Sequence, residues 1–236
     1  VVLLADPGVA VSPIPSGSPG TTVTTTLTLS NSGSATVSFT PQVVINGVVT
    51  NLAQVTLAPG QTSSQVISVP LTSTGATVTA NVTAPSVADG NPANNTDTEV
   101  SGALYADVTT TVDLPANAPA GTVITVTATF ANSATGGTAT TASAVVGTVT
   151  LSNGQVQTYT LGNLAPGASV VQSFTTTVPN SSASAALSAT STVATSTPES
   201  NSTNNTGTDT LVVLLADPGV AVSPIPSGSP GTTVTT

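Results

Sequence analysis

Thr21-Thr22-Val23-Thr24-Thr25-Thr26-Leu27-Thr28-Leu29-Ser30 is written in period two. Val23, Thr25, Leu27 and Leu29 share one parity, and the residues between them are threonines. Successive strand side chains point to opposite faces, so this spacing predicts a half-buried β-strand. β-Branched side chains are stiff at χ1 and suit a pleated surface. Asn31-Ser32-Gly33 then turns the chain, and Val37 and Phe39 open a second strand that continues through Val43 to Ile45 beyond Pro41. Asn46-Gly47 is a hairpin signal. Further strands are expected around Val66 to Leu71 and Val78 to Val82. The same plan returns at Val123 to Phe130, Ala144 to Val149, Val156 to Leu161, Val170 to Val178 and Leu187 to Val193. No helical stripe interrupts it.

Outward from this strand the chain is periodic at two levels. Residues 1–25 recur letter for letter as residues 212–236, an offset of 211. Such identity marks a tandem period and not chance. A weaker repeat lies inside it. Ala5-Asp6 returns as Ala106-Asp107 and Ala216-Asp217, Leu57-Ala58-Pro59-Gly60 as Leu164-Ala165-Pro166-Gly167, and Asn94-Asn95-Thr96 as Asn204-Asn205-Thr206. The stretches from Asp6 to Asp107 and from Asp107 to Asp217 each match the length of a β-sandwich domain, roughly 100 residues. The expected organisation is an all-β chain of tandem immunoglobulin-like β-sandwiches, end to end with short stiff junctions. Residues 1–4 end a preceding domain's last strand. Residues 5–104 and 105–215 form two sandwiches, and residues 216–236 start the next copy of the first. The junctions Ser101 to Ala106 and Leu211 to Ala216 carry no long Gly/Ser spacer.

Composition narrows function sharply. The 236 residues hold no Lys, Arg, His, Cys, Met or Trp, and nine acids give a net charge of −9. Basic side chains and thiols carry most proton transfer and charge stabilisation, so an enzyme is not expected. Without Lys or Arg no counterions can be displaced from phosphates, which excludes nucleic acid as a partner. Anionic lipid is disfavoured for the same reason, and no run of 18 apolar residues exists to span a membrane. Disulfides and thiolate metal sites are ruled out. The sequence shows no initiator Met and no signal-peptide pattern, which reads as an interior or processed segment of something longer.

The run of Ala-Asp, a Gly-Thr-Val strand, Leu-Ala-Pro-Gly and a closing Asn-Asn-Thr resembles the Ig-like repeats of bacterial and archaeal surface proteins. The nearest types are the cell-adhesion-related domain (CARDB) and the surface-repeat family called domain of unknown function eleven. Thr197 to Thr206 carries the resemblance best, and Val87 to Thr96 nearly as well. The resemblance implies an extracellular or cell-surface location and a stalk or adhesion role, with no catalytic chemistry.

Candidate site residues are few. Asp97 and Glu99, two apart on a strand, share a face, and with Asp89 and Asp107 they are the one candidate Ca²⁺ set. The plainer reading is a solvated hairpin and strand end, so no cofactor is expected. Asp209, Asp217 and Glu199 repeat the situation at the other junction. Asn81, Asn94, Asn180, Asn201 and Asn204 each begin an Asn-x-Ser/Thr triplet, as so Thr-rich a chain produces by composition. The aromatics are Phe39, Phe130, Phe174, Tyr105 and Tyr159, too few for sugar platforms and suited to core or junction packing.

The leading expectation is a structural repeat of a giant secreted protein that forms a filament, stalk or sheath, with copies of itself as partners, laterally and end to end. The alternative is an adhesin repeat that itself binds a surface or glycan. Lateral association is expected because Lys, the usual guard of sheet edges, is absent. The Thr strands 21–28 and 122–129 are the expected exposed strands. Sandwiches roughly 35–45 Å long give an axial repeat of about 70–90 Å per period.

Overall fold

The computed structural model describes residues 3–180, 186–216, 218–222, 227, 229–231 and 233. Its regular structure is strand, apart from one 3-10 turn at Pro92–Asn94. The first eight strands are β1 (Pro7–Val11), β2 (Thr22–Asn31), β3 (Val37–Ile45), β4 (Val48–Asn51), β5 (Val55–Leu57), β6 (Thr62–Pro70), β7 (Ala76–Thr83) and β8 (Thr96–Ser101). One sheet runs β1-β2-β6, and the facing sheet runs β4-β3-β7-β8 with β5 also paired to β3. Between them lies a core of Val9, Val11, Leu27, Leu29, Ile67 and Val69 from one sheet and Val37, Phe39, Val43, Val78 and Ala80 from the other. Each fully buried Leu or Phe contributes about 1.5–3 kcal/mol.

The second eight strands are β9 (Val108–Asp113), β10 (Asn117–Pro119), β11 (Val123–Asn132), β12 (Ala142–Leu151), β13 (Val156–Leu164), β14 (Ser169–Thr177), β15 (Ala186–Ala194) and β16 (Thr206–Leu214). They form the sheets β14-β11-β9 and β10-β16-β15-β12-β13. Their separate core is built on Val108, Val126, Phe130, Val145, Val149, Leu151, Leu187 and Leu211. The chain is therefore a tandem of Ig-like β-sandwiches, as the alternation and the internal repeat imply.

Local chemistry explains the details. In β2 the buried parity is Thr25, Leu27, Leu29 and Asn31. The Thr25 hydroxyl enters the core by donating 2.6 Å to the Ser12 carbonyl. Asn46 and Gly47 take φ of 50° and 85°, the left-handed pair that a two-residue hairpin needs between β3 and β4.

One expectation is corrected, and two features go beyond the sequence reading. The Thr-rich strands are not edges: β2 lies between β1 and β6, and β11 between β14 and β9. Their hydroxyls line a sheet face, and the edges fall to β6, β14, β4 and β13 among others. The short strands at Pro7–Val11 and Val108–Asp113 went unread, because neither spans more than 6 residues and Pro7 and Gly8 open the first. At the junction between the sandwiches β8 stops at Ser101. From there isolated bridges hand the chain over, Ala103 to Gly17 in the first sandwich, then Tyr105 to Ala139 and Ala106 to Glu199 in the second. Val1 and Val2 lie outside the described residues; Leu3 and Leu4 are not in a strand.

Candidate functional site

The Ala-Asp and Asn-Asn landmarks meet at the entrance of each sandwich. In the first, Ala5 bridges Asp89 in parallel, with the Ala5 N–H donating to the Ala88 carbonyl and the Gly90 N–H to the Ala5 carbonyl. The Asp6 carboxylate accepts the Asn94 amide at 2.8 Å, and the Asp89 carboxylate accepts the Asn95 amide at 2.7 Å. Beneath them Asn31, 1% exposed, is the pin. Its Oδ1 accepts from the Asp6 and Gly33 N–H groups, and its Nδ2 donates to the Ala35 and Leu57 carbonyls.

The second sandwich repeats this clasp, with Glu199 standing where the first has Asp89. Asp107 accepts the Asn204 amide at 2.8 Å, and Glu199 accepts the Asn205 amide at 3.0 Å. Asn132 is fully buried; its Oδ1 accepts from Asp107 and Ala134, and its Nδ2 donates to Thr140 and Leu164. A buried amide with all four bonds made is stable where an unsatisfied one is costly. The clasp ties the incoming chain to the closing hairpin and to the turn after the first long strand.

Two further acids cap backbone. Asp97 accepts the Val11 N–H at 2.7 Å, and Asp209 accepts the Leu114 N–H at 2.7 Å. Each satisfies a donor where the first strand of its sandwich ends, and charge strengthens such bonds.

The candidate set Asp89, Asp97, Glu99 and Asp107 is thus dispersed. Asp89 and Asp107 belong to clasps of different sandwiches, while Asp97 and Glu99 lie on β8. Among the described residues no three acidic side chains gather as a metal-holding group. Asp217 lies outside the described residues; Glu199 and Asp209, its companions in the second set, hold different backbone groups, at Val108 and Leu114. Of the triplet asparagines, Asn94 and Asn204 are clasp members, Asn81 accepts from Thr96, and Asn201 closes a local turn on Thr203. Sequence reasoning missed Asn31 and Asn132. Their signal was available, an Asn on the buried parity at the end of the first long strand.

Tyr105 is a junction residue, as its position suggested. Its backbone pairs with Thr138 and Thr140 of the second sandwich, while its hydroxyl donates 2.6 Å to the Ser73 carbonyl of the first. Tyr159 packs on Phe130 with ring centroids 6.1 Å apart, and burial pushes its phenol up from the usual value.

Residues 105–209 match the CARDB family. The match covers the second sandwich, which is similar to CARDB domains, and the class the fold defines is the Ig-like β-sandwich. Among solved structures, the chain is similar to the CARDB domain of a Pyrococcus furiosus protein, at 18% identity and a TM-score of 0.40, covering 47% of this chain and 97% of that one. It is also similar to red sea bream transglutaminase, at 12% identity and 0.35, and to trypsin-activated alpha-2-macroglobulin from Escherichia coli, at 13% and 0.31. The chain covers only 31% and 17% of those two proteins. No curated protein matches it. No helix among the described residues is long and apolar enough to cross a membrane.

Proposed function

We propose that this chain is one period of a giant secreted protein whose tandem sandwiches form an extracellular filament, stalk or sheath. The observation that carries the reading is the recurrence of residues 1–25 as residues 212–236, framing two sandwiches closed by the same clasp. Its work is mechanical. Each clasp ties the point where the chain enters a sandwich to the hairpin that closes it. A chain lacking every basic side chain and thiol offers little for catalysis and nothing to pair with phosphates, which supports a mechanical role over an enzyme or a nucleic-acid binder.

Lateral association of the rods belongs to the same reading. The edge strands β6 and β14 carry no charged residue, and at their middles Val66 and Val171 are 72% and 58% exposed. Val48, Val49 and Val100 add exposed apolar surface on the opposite sheet of the first sandwich. Unguarded edges and outward valines favour contact between copies. Cryo-EM of native material tests this. The expected result is multi-stranded filaments with an axial repeat of about 70–90 Å for each two-sandwich period. Isolated flexible threads would remove the lateral part. A surface-bound monolayer engaging a glycan through the sandwich faces would favour the adhesin reading instead.

A further inference from the structure

Tyr105 is attached to both sandwiches. Its backbone is locked into the second from both sides, its N–H donating 2.8 Å to the Thr138 carbonyl and its carbonyl accepting the Thr140 N–H at 3.0 Å. The residue before it belongs to the first, where the Leu104 N–H donates 2.9 Å to the Gly17 carbonyl. No free residue therefore lies between the two bodies. The Tyr105 hydroxyl then reaches back and donates 2.6 Å to the Ser73 carbonyl. Among the described residues from Leu3 to Ala216, it is the one hydrogen bond that crosses from one sandwich to the other. The two hydrophobic cores are separate clusters, so no shared core joins them.

The acceptor is as fixed as the donor. Ser73 lies in the connection between β6 and β7, in a turn closed more than once. Thr72 and Gly75 exchange N–H to carbonyl bonds, and the Thr72 hydroxyl donates 2.6 Å to the Gly75 carbonyl. Gly75 takes a φ of 97°, and a Cβ there would collide with the Ser101 carbonyl. The turn is thus pressed onto the end of β8, the point from which the chain leaves for the second sandwich. Backbone from Ser101 to Tyr105 closes one side of the joint, and the phenol closes the other.

We propose that Tyr105 is a latch that fixes the angle between its two sandwiches, and that the other kind of joint in the array lacks it. Ala106-Asp107 aligns with Ala5-Asp6 and Ala216-Asp217, which puts leucines, Leu4 and Leu215, where the latch stands. Leucine has no hydroxyl to donate. The connection that would offer the acceptor also differs, since residues 178–185 between β14 and β15 outnumber residues 71–75 between β6 and β7. Joints therefore alternate along the chain, stiff after every first sandwich and compliant after every second. A rod so built bends once per 211-residue period. The alternation rests on the tandem reading above; the latch does not.

The experiment uses the full chain with Thr50→Cys on β4 and Thr158→Cys on β13, both exposed, carrying spin labels. The protein has no cysteine of its own, so the labels go nowhere else. Pulsed electron–electron resonance reads the distribution of distances between the sandwiches, and one narrow distribution is expected. Tyr105→Phe keeps the ring and removes only the donor. It should broaden the distribution, with the ratio of latched to unlatched molecules falling a few-fold. Tyr105→Leu, which copies the other joint, should broaden it further. Both variants should melt as the parent does, because the Gly17, Thr138 and Thr140 bonds are untouched. A broad distribution in the parent, or one in Tyr105→Phe as narrow as the parent's, overturns the latch. A clear fall in the melting temperature of Tyr105→Phe also counts against it, by making the hydroxyl part of a sandwich's fold. In native rods, electron microscopy should place bends at one joint in two. Equal bending at every joint overturns the alternation, while native mass decides the tandem period separately.

Discussion

The two sandwiches share their clasp and differ in where they keep their fully buried phenyl ring. The sequence separation from Asp6 to Asn31 equals that from Asp107 to Asn132, which aligns Leu29 with Phe130. The Val82 and Val193 N–H groups donate to Asn95 and Asn205 respectively, which aligns Pro41 with Gly147 and Phe39 with Val145. The first core thus takes its phenyl ring from β3, and the second takes its fully buried one from β11 in the opposite sheet, with Phe174 and Tyr159 partly buried against the same core. Gly147 makes the exchange possible, since a Cβ there would sit 2.5 Å from the Phe130 ring. Core volume is kept by trading residues across the sandwich. The polar pins at the strand ends are not traded at all. Packing is negotiable here, whereas the buried amide that satisfies four backbone groups is not.

The largest expected effect tests that contrast. Asn31→Ala and Asn132→Ala each strand two carbonyls and two N–H groups, and each should destabilise its own sandwich by about 3 kcal/mol or more. Chemical denaturation of the single variants should show equal losses. A loss in one sandwich only would break the equivalence of the two pins.

A middle-sized effect sharpens the packing side. Gly147→Ala should cost the second sandwich about 1–3 kcal/mol by overpacking. Phe130→Leu in the same chain, which copies the Leu29 arrangement, should recover part of that loss. Thermal melts of the single and double variants measure the coupling. Additive losses would show that the ring and the glycine are independent.

The smallest expected effect concerns metal. With Asp89, Asp97 and Asp107 held by amide and backbone partners and the set dispersed, a chelator should leave both sandwiches' melting temperatures unchanged. A marked fall on chelation would promote Asp89, Asp97, Glu99 and Asp107 to a real site, and a fall in one sandwich alone would separate the two clasps.

How much of this was legible follows from which forces are local. The alternation of Val23, Thr25, Leu27 and Leu29 and the Asn46-Gly47 turn are local, and they stand in the structure as read. Strand order is not local. Threonines at 22, 24, 26 and 28 look the same on an edge as in the middle of a sheet, so β2 and β11 were misplaced. The landmark acids were visible, but their partners were not. Asp97 accepts from Val11, far back in the chain at the end of β1, and no spacing rule connects them. β1 escaped notice because Pro7 and Gly8 mask a five-residue strand whose burial depends on β2.

The central claim is that the period marked by the recurrence of residues 1–25 at 212–236 repeats along a continuous chain. Intact mass of the native material, fully denatured, tests it most directly. The account predicts a polypeptide many times heavier than 22.6 kDa, with partial proteolysis giving fragments spaced by one period. A single discrete species near 22.6 kDa would contradict it.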